Sequence, residues 1–234
     1  MKRLLHIIIC VVLLCSCNNG KKQAEIARQQ AYDDSIAEVI KQAEIAEQRR
    51  LDSLAEYAWG DVKFGMSHND VINSETFKDW EIRHNYPNSL ELHSSNNTMF
   101  HTVFMDFYKD RLYEATFYGY AKNENCFAII ESLTKKYGPA VSGNPIPDES
   151  DYKITHSASF YLLGEWIVSY KTITVGIQNE KRLTNWRIYN LYCRITNTKE
   201  ENIKTQDEER ANEEKRINQL KQQKEKETIL QDLI

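Results

Sequence analysis

The sequence has few residues that interrupt secondary structure or form disulfides: 8 glycines, 4 prolines and 5 cysteines in 234 residues. So few cysteines exclude a small fold held together by disulfides. The net charge of −4 shows no basic excess and argues against general nucleic-acid binding. A hydrophobic share of 41%, with 11% aromatic residues, is enough for a packed core and excludes disorder of the whole chain.

The most apolar stretch lies at the N-terminus. Met1-Lys2-Arg3 is basic, and Leu4–Leu14 is apolar except for one histidine. Eleven residues are too few to cross a bilayer, which takes about 20, but they suit a secretory signal. The sequence Leu14-Cys15-Ser16-Cys17 that follows resembles the lipobox of bacterial lipoproteins.

That resemblance implies a signal peptide at 1–16 and lipidation of Cys17. Several acyl chains on one residue hold a protein on a membrane without a transmembrane helix. The alternative is an ordinary signal peptide that is cleaved elsewhere. Asn18 and the residues after it lack the acidic signals for inner-membrane retention or surface display, which favours the periplasmic face of the outer membrane.

Removal of the signal peptide leaves Cys17 and two further cysteines, Cys126 and Cys193. An exported chain meets an oxidising compartment, so these two are a candidate disulfide pair. Two separate buried thiols are the alternative, and the geometry of the fold decides between them.

The segment 17–58 is predicted to be a helical stalk, since it has no proline and its only glycine is Gly20. The sequence Lys22–Ala27 recurs at Lys41–Ala46, and Asp34–Glu38 recurs in similar form 18 residues later. Eighteen residues are five helical turns, so the repeat returns to the same helix face. The stalk would be roughly 55 Å long at 1.5 Å per residue.

This repeat resembles the stalks of exported lipoproteins in Bacteroidota. Those bacteria also O-glycosylate exported proteins at Asp-Ser or Asp-Thr followed by an apolar residue. Asp34-Ser35-Ile36 and Asp52-Ser53-Leu54 match that pattern, so the resemblance makes Ser35 and Ser53 candidate glycosylation sites. A plain exposed helix is the alternative.

The aromatic residues concentrate in 59–198, which we predict to be a globular α+β domain. The expected architecture has two layers, an antiparallel sheet and two helices. Ser67 is predicted to cap the first helix, and Asn123 or Asn125 the second, which ends at Gly138-Pro139. Five strands are predicted, at Phe100–Tyr108, Arg111–Tyr118, Ser159–Leu163, Trp166–Gln178 and Trp186–Thr196, with one further short strand in 80–98.

The second helix is expected to present Phe127, Ile130, Leu133 and Tyr137 to the core. The segment 199–234 is half charged and has no glycine, proline or aromatic residue. Its apolar residues are too sparse for a coiled-coil seam. It is predicted to be a charged helix that is either solvated or packed on the stalk or on a partner.

No residue pattern indicates catalysis. The histidines lack the spacing of a helical metal site, and Gly65-Met66-Ser67 begins like a nucleophile elbow but has no second glycine. We therefore predict a protein that is not an enzyme, with no metal and no cofactor.

Tyrosines suggest a binding surface, because tyrosine is enriched at interfaces. If helices cover one sheet face, the other would carry Tyr113, Tyr118, Tyr170 and Tyr189 and could bind a protein, a peptide or a glycan. Packing of these rings within the sheet is the alternative.

The domain also resembles small lipoprotein domains of unassigned activity. The resemblance rests on Trp59-Gly60, on Phe64-Gly65-Met66-Ser67 with Val71, and on the helix end Lys136-Tyr137-Gly138-Pro139. Together these features predict a lipid-anchored envelope protein that acts as a structural or protein-interaction module, with an envelope protein as partner and no nucleic acid. A module that binds a small molecule or a glycan is the alternative.

Overall fold

The computed structural model describes residues 2–96, 99–147, 160–181 and 187–232, with the side chains of 22–96, 99–147, 160–178 and 189–223. The starts of two predicted strands, Ser159 and Trp186, and the side chain of Cys17 lie outside these ranges. In chain order the described elements are α1 (Lys2–Ala55), β1 (Tyr57–Trp59), β2 (Val62–Lys63), α2 (His68–Ile72), β3 (Glu81–Tyr86), β4 (Ser89–His93), β5 (Thr102–Tyr108), β6 (Arg111–Tyr120), α3 (Asn123–Tyr137), β7 (Phe160–Val168), β8 (Lys171–Lys181), β9 (Arg187–Asn197) and α4 (Thr198–Asp232).

The chain divides into two compact units, residues 1–50 and 51–234. The first unit is helical, so the predicted long N-terminal helix is confirmed. Every residue from 22 to 50 is exposed, including Ile26, Val39 and Ile40. Within the described residues, no helix combines the length and the apolar character needed to cross a membrane.

The second unit is an α+β domain built on an antiparallel sheet, as predicted. The seven strands are ordered β3-β4-β5-β6-β9-β8-β7, and β1 and β2 form a separate hairpin. Two meanders, β3 to β6 and β7 to β9, are joined where β6 pairs with β9, with Phe117 opposite Cys193. The predicted hairpin around Lys109-Asp110 is confirmed as β5 and β6.

One face of the sheet carries the hydrophobic core. Phe117 on this face contacts Trp59 of β1 at 4.6 Å between ring centroids and Phe77, which follows α2, at 6.4 Å. The other buried sheet residues in the same core include Leu90, Leu92, Val103, Met105, Ala115, Trp166, Ile173, Val175, Ile177, Leu191, Cys193 and Ile195.

Helix α2 starts as predicted. Ser67 caps it by accepting from the Asp70 amide, and the Asp70 carboxylate accepts from the Ser67 amide, which completes a capping box. The start of α3 was predicted wrongly. Its N-cap is Lys122, which makes no side-chain cap bond, and the Asn125 side chain instead donates to the Tyr120 carbonyl.

The predicted core face of α3 is correct at Leu133, which is buried, and at Ile130 and Tyr137, which pack against the core, but it is wrong at Phe127. The buried positions are Cys126, Ile129 and Leu133, whereas Phe127 is 59% exposed. Neighbouring residues on a helix are separated by about 100°, so the first turn buries Cys126 and turns the adjacent Phe127 outward.

The predicted strands Ser159–Leu163 and Trp166–Gln178 divide at the wrong place, because β7 continues through Gly164-Glu165 to Val168 and the turn to β8 lies at Ser169-Tyr170. Ser169 has a φ of +54°, in the left-handed region that β-branched and bulky residues avoid. The sequence has no glycine or asparagine at these positions that would indicate a turn. The segment 80–98 holds two strands, β3 and β4, rather than one. All six residues of β3 are exposed, so the strand lacks the alternation that would reveal it.

The first turns of α4 pack against the β5–β6 hairpin through polar contacts. Asp207 accepts from Lys109 Nζ at 2.6 Å and from the Tyr108 hydroxyl at 2.9 Å, and Glu200 accepts from Arg111 at 2.5 Å. Exposed ion pairs contribute about 0–1 kcal/mol each. This part of α4 is therefore held by several weak contacts, and its residues from Glu208 to Gln223 are exposed.

A buried lysine joins the last turn of α1 to the sheet. Lys171 of β8 is 1% exposed, and its Nζ donates to the Leu54 carbonyl at 2.5 Å and the Tyr57 carbonyl at 3.1 Å. The Tyr137 hydroxyl of α3 lies 3.0 Å from the same Nζ. Leu54 supplies one of the carbonyls that a helix end leaves unpaired, so Lys171 acts as a C-terminal cap from a distant strand.

The turn before Lys171 contacts both places where the chain meets the domain. The Tyr170 hydroxyl donates to the Asp52 carbonyl at 3.3 Å, and Ser169 Oγ donates to the Asp52 carboxylate at 2.5 Å. The Tyr170 carbonyl accepts from the Thr198 amide at 2.8 Å, and Lys199 Nζ lies 3.8 Å from the Tyr170 ring centroid. The chain therefore enters and leaves the domain at the same turn.

We predict that Lys171 makes stability rise with pH in the alkaline range. Burial, and secondarily the charge of Lys136, lower the Lys171 pKa from 10.5 to about 7. Between these values the unfolded chain holds a proton that the folded chain has released, so the free energy of unfolding should increase by up to about 1.4 kcal/mol per pH unit. Chemical denaturation of the wild type and of Lys171→Met from pH 7 to 10 measures this, and the variant should lack this contribution. Equal slopes in both proteins would contradict the assignment.

Candidate functional site

The second face of the sheet is the candidate site. Residues alternate between the two faces of a strand, so the partners of core residues point away from the core. The register places Thr102, Tyr118 and Tyr192 side by side on β5, β6 and β9, and it places Gln178 opposite Asn190 on β8 and β9. Four strands therefore contribute to one surface.

A row of four aromatic rings crosses this face. Phe104 lies 5.6 Å from Tyr118, Tyr118 lies 5.6 Å from Tyr192, and Tyr192 lies 5.5 Å from Phe160, all in edge-to-face arrangements. Such pairs contribute about 0.5–1.5 kcal/mol beyond the burial of area. The two ends of the row remain accessible, since Phe104 is 40% and Phe160 is 36% exposed.

Gly176 makes room for the end of this row. A Cβ at this position would lie 2.5 Å from the Phe160 ring, which is closer than carbon atoms can approach. Any side chain on Gly176 would therefore displace Phe160 from its place beside Tyr192.

A groove of about 430 Å³ runs beside the row. Its lining is mixed, with aromatic rings next to carboxylate, imidazole, hydroxyl and amide groups. The lining residues are Glu91, His101, Thr102, Phe104, Tyr118, Gln178 and Asn190. Gln178 Oε1 is buried and accepts no hydrogen bond from the part of the chain that the structure describes. Apolar walls with a few convergent polar groups are typical of ligand sites.

Two ionisable groups at the groove and the aromatic row, those of His101 and Tyr192, favour their neutral forms. Burial lowers the pKa of His101, with smaller contributions from the charges of His93 and Arg83. His101 Nδ1 lies 2.9 Å from Thr102 Oγ1. Burial raises the pKa of Tyr192 to about 12, so the phenol keeps its proton. At neutral pH these groups offer hydrogen bonds rather than charge.

The structure separates the four tyrosines that the sequence analysis assigned to one face, which corrects that prediction. Tyr118 lies in the groove. Tyr113 is the extra residue of a β-bulge, 8% exposed, and accepts from Lys204 of α4 at 2.9 Å. Tyr170 lies in the turn, and Tyr189 packs against the core. A bulge at Tyr113 and a turn at Tyr170 break the simple alternation, whereas Tyr189 follows it onto the core face, two residues before Leu191.

The sequence analysis missed most of the groove residues. Phe104 could have been assigned from the hairpin around Lys109-Asp110, because its register brings Phe104 and Tyr118 to the same face. Gln178 and Asn190 carried no such signal, since their alignment depends on the β8–β9 pairing across residues 182–186.

The structure also shows where the other predicted site residues lie, two serines of α1 and two cysteines of the domain. Ser35 is exposed and donates to the Tyr32 carbonyl at 2.7 Å, and Ser53 is exposed beside Asp52. Glycosylation of either serine stays a prediction. Cys126 and Cys193 are buried thiols with no disulfide between them, so the disulfide alternative is not formed. Burial raises the pKa of Cys193 to about 12.

The arrangement closest to a catalytic one is His68 with Asp110. His68 Nδ1 lies 2.6 Å from Asp110 Oδ1, and this bond lowers the pKa of Asp110. The neighbouring hydroxyl, Ser67 Oγ, donates to Asp70 at 2.8 Å rather than to His68. The described residues contain no cluster of three or more side chains placed to hold a metal ion.

Comparisons with known protein families, with curated proteins and with solved structures each found no match to this chain.

The environment of His101 predicts its titration. We expect its pKa to lie below the ordinary value of about 6.5, and His93→Asn to raise it by removing a nearby like charge. NMR titration of the imidazole resonances measures both. A pKa at or above the ordinary value, or one that does not respond to His93→Asn, would contradict the described environment.

Proposed function

We propose that this chain is a non-enzymatic, lipid-anchored protein of the cell envelope that acts as a protein-interaction module. The lipobox at Leu14–Cys17 and the uncharged asparagines that follow it support an anchor on the periplasmic face of the outer membrane. The exposed helix from residue 22 to residue 50 supports a stalk. The proposed domain is a two-layer unit with its core on one sheet face and its recognition surface on the other.

The observation that carries this proposal is the aromatic row beside the groove. A row of four aromatic rings on an open sheet face exposes apolar surface to water, which is unfavourable. Such a patch is typical of a surface that a binding partner covers. Tyrosine and phenylalanine supply large contact areas with few rotatable bonds, which makes them effective interface anchors. A segment of a partner protein lying along the row would cover the exposed edges of Phe104 and Phe160.

The mixed lining of the groove favours a second candidate, the binding of a small molecule or a glycan. Aromatic rings can stack on the apolar faces of sugars. Thr102 and the buried Gln178 Oε1 would exchange hydrogen bonds with hydroxyl groups. Both candidates use the same surface and differ in what covers it.

The lipid anchor gives the first prediction of this proposal. Cys17→Ala should abolish metabolic labelling with an alkynyl fatty acid and move the protein from the membrane to the soluble fraction. Cys15→Ala is the matched control, because it changes the neighbouring cysteine and should leave labelling intact. Labelling that survives Cys17→Ala would contradict the proposed anchor.

The recognition surface gives the second prediction. In-cell crosslinking followed by affinity capture should yield a stoichiometric partner that is lost in Phe104→Ser and in Tyr118→Ser. Phe127→Ser is the matched control, because Phe127 is an exposed aromatic residue on α3 rather than on the row. A chain that ends at Thr198 should keep the partner.

Other outcomes separate the alternatives. Loss of the partner in the chain ending at Thr198, but not in Phe104→Ser, would assign the interaction to α4 instead. If no protein is captured while envelope glycan fragments bind and Phe104→Ser weakens that binding, the second candidate is correct.

A further inference from the structure

A separate cavity lies on the core side of the sheet, between β1 and α3. Its volume is about 250 Å³, and its walls include Ala58, Ile129, Leu133 and Ile173. Ser132 and the other exposed lining residues mark its mouth along α3. An apolar cavity of about 150 Å³ is large enough to hold benzene, so this one has room for such a ring with a short chain.

The amino groups of two lysines lie near this cavity, and the exposed Lys136 places a positive charge at its mouth. Lys136 lines it, and the Lys136 ammonium lies 5.2 Å from the centroid of the Tyr137 ring. The Lys171 amino group lies 4.6 Å from the same ring centroid and contacts Tyr57 and Tyr137, two lining residues. Among the residues that the structure describes, no carboxylate pairs with either lysine.

The charge of Lys136 helps to lower the pKa of Lys171, so the two amino groups repel each other when both are protonated. The Lys171 Nζ already donates to the carbonyl groups of Leu54 and Tyr57. An anion at the mouth of the cavity would complement the exposed Lys136 ammonium and relieve this repulsion, while apolar walls would accept an apolar tail.

We infer that this cavity binds a monocarboxylate with an apolar group of about ten carbon atoms, with the carboxylate at Lys136 and the apolar group between α3 and the sheet. The inference is independent of the recognition surface on the other sheet face. The apolar group can be an alkyl chain or an aryl ring, since the walls include the aliphatic Ile129 and the aromatic Trp59.

The test uses the full chain, kept free of lipid by Cys17→Ala, with decanoate and 4-phenylbutyrate as the alkyl and aryl probes. The neutral 4-phenyl-1-butanol is matched to the aryl probe in carbon count. Calorimetry should give dissociation constants below 1 mM for at least one acid and at least fivefold weaker binding for the alcohol. Methyl NMR should show shifts at Ile129, Leu133 and Ile173 on binding.

Variants on the exposed face of α3 distinguish the contribution of the Lys136 charge to binding from the contribution of the cavity's shape. Lys136→Gln should remove the preference for the acid, whereas Lys135→Gln should keep it, because Lys135 is exposed on the same turn and does not line the cavity. Ser132→Trp should close the mouth and abolish binding of every probe. Equal affinity for acid and alcohol in the unsubstituted cavity, or methyl shifts confined to other parts of the protein, would overturn the inference.

Discussion

The buried amino group of Lys171 holds the end of α1, β1 and α3 together on the sheet. Lys171 Nζ donates hydrogen bonds to carbonyl oxygens in the last turn of α1 and in β1, and to the Tyr137 hydroxyl of α3. A lysine is rarely buried, and its cost is met here by three acceptors rather than by a counterion. Because these acceptors come from three elements, the lysine also positions the layer that covers the core. The cavity between β1 and α3 is lined by two of these residues, Tyr57 and Tyr137.

The β5–β6 hairpin provides a second point of attachment, of a different kind. Its turn residues Lys109 and Asp110 both have positive φ angles, 51° and 59°, which suit a two-residue hairpin but are uncommon without glycine or asparagine. His68 holds Asp110 from one side, and Asp207 holds Lys109 from the other. Each of these ion pairs has one exposed partner, so its contribution to stability is small, about 0–1 kcal/mol. The recognition surface does not require α4, since none of the groove residues belongs to it.

Local chemistry made some of this structure predictable. The capping box at Ser67, the hairpin at Lys109-Asp110 and the end of α3 at Gly138 each depend on residues within a few positions of one another. The features that were missed depend on distant partners. The turn at Ser169-Tyr170 is stabilised by Asp52 and Thr198, and the groove requires β8, β9 and β5 to be aligned across the sheet. No local pattern of residues in the sequence predicts such long-range pairings. In the sequence, Lys171 is one polar residue of an alternating strand. Only its hydrogen bond to the Leu54 carbonyl in the structure shows that it caps the end of α1.

The aromatic sheet face is the surface that we propose for recognition. Site-specific photocrosslinking in cells tests this directly, with benzoylphenylalanine placed at Phe104 or, as the control, at Phe127. The probe reacts with C–H bonds of proteins and sugars alike, so it reports either kind of ligand. We expect a discrete crosslinked species from position 104 and none from position 127. A chain that crosslinks equally at both positions, or only at 127, would contradict the account.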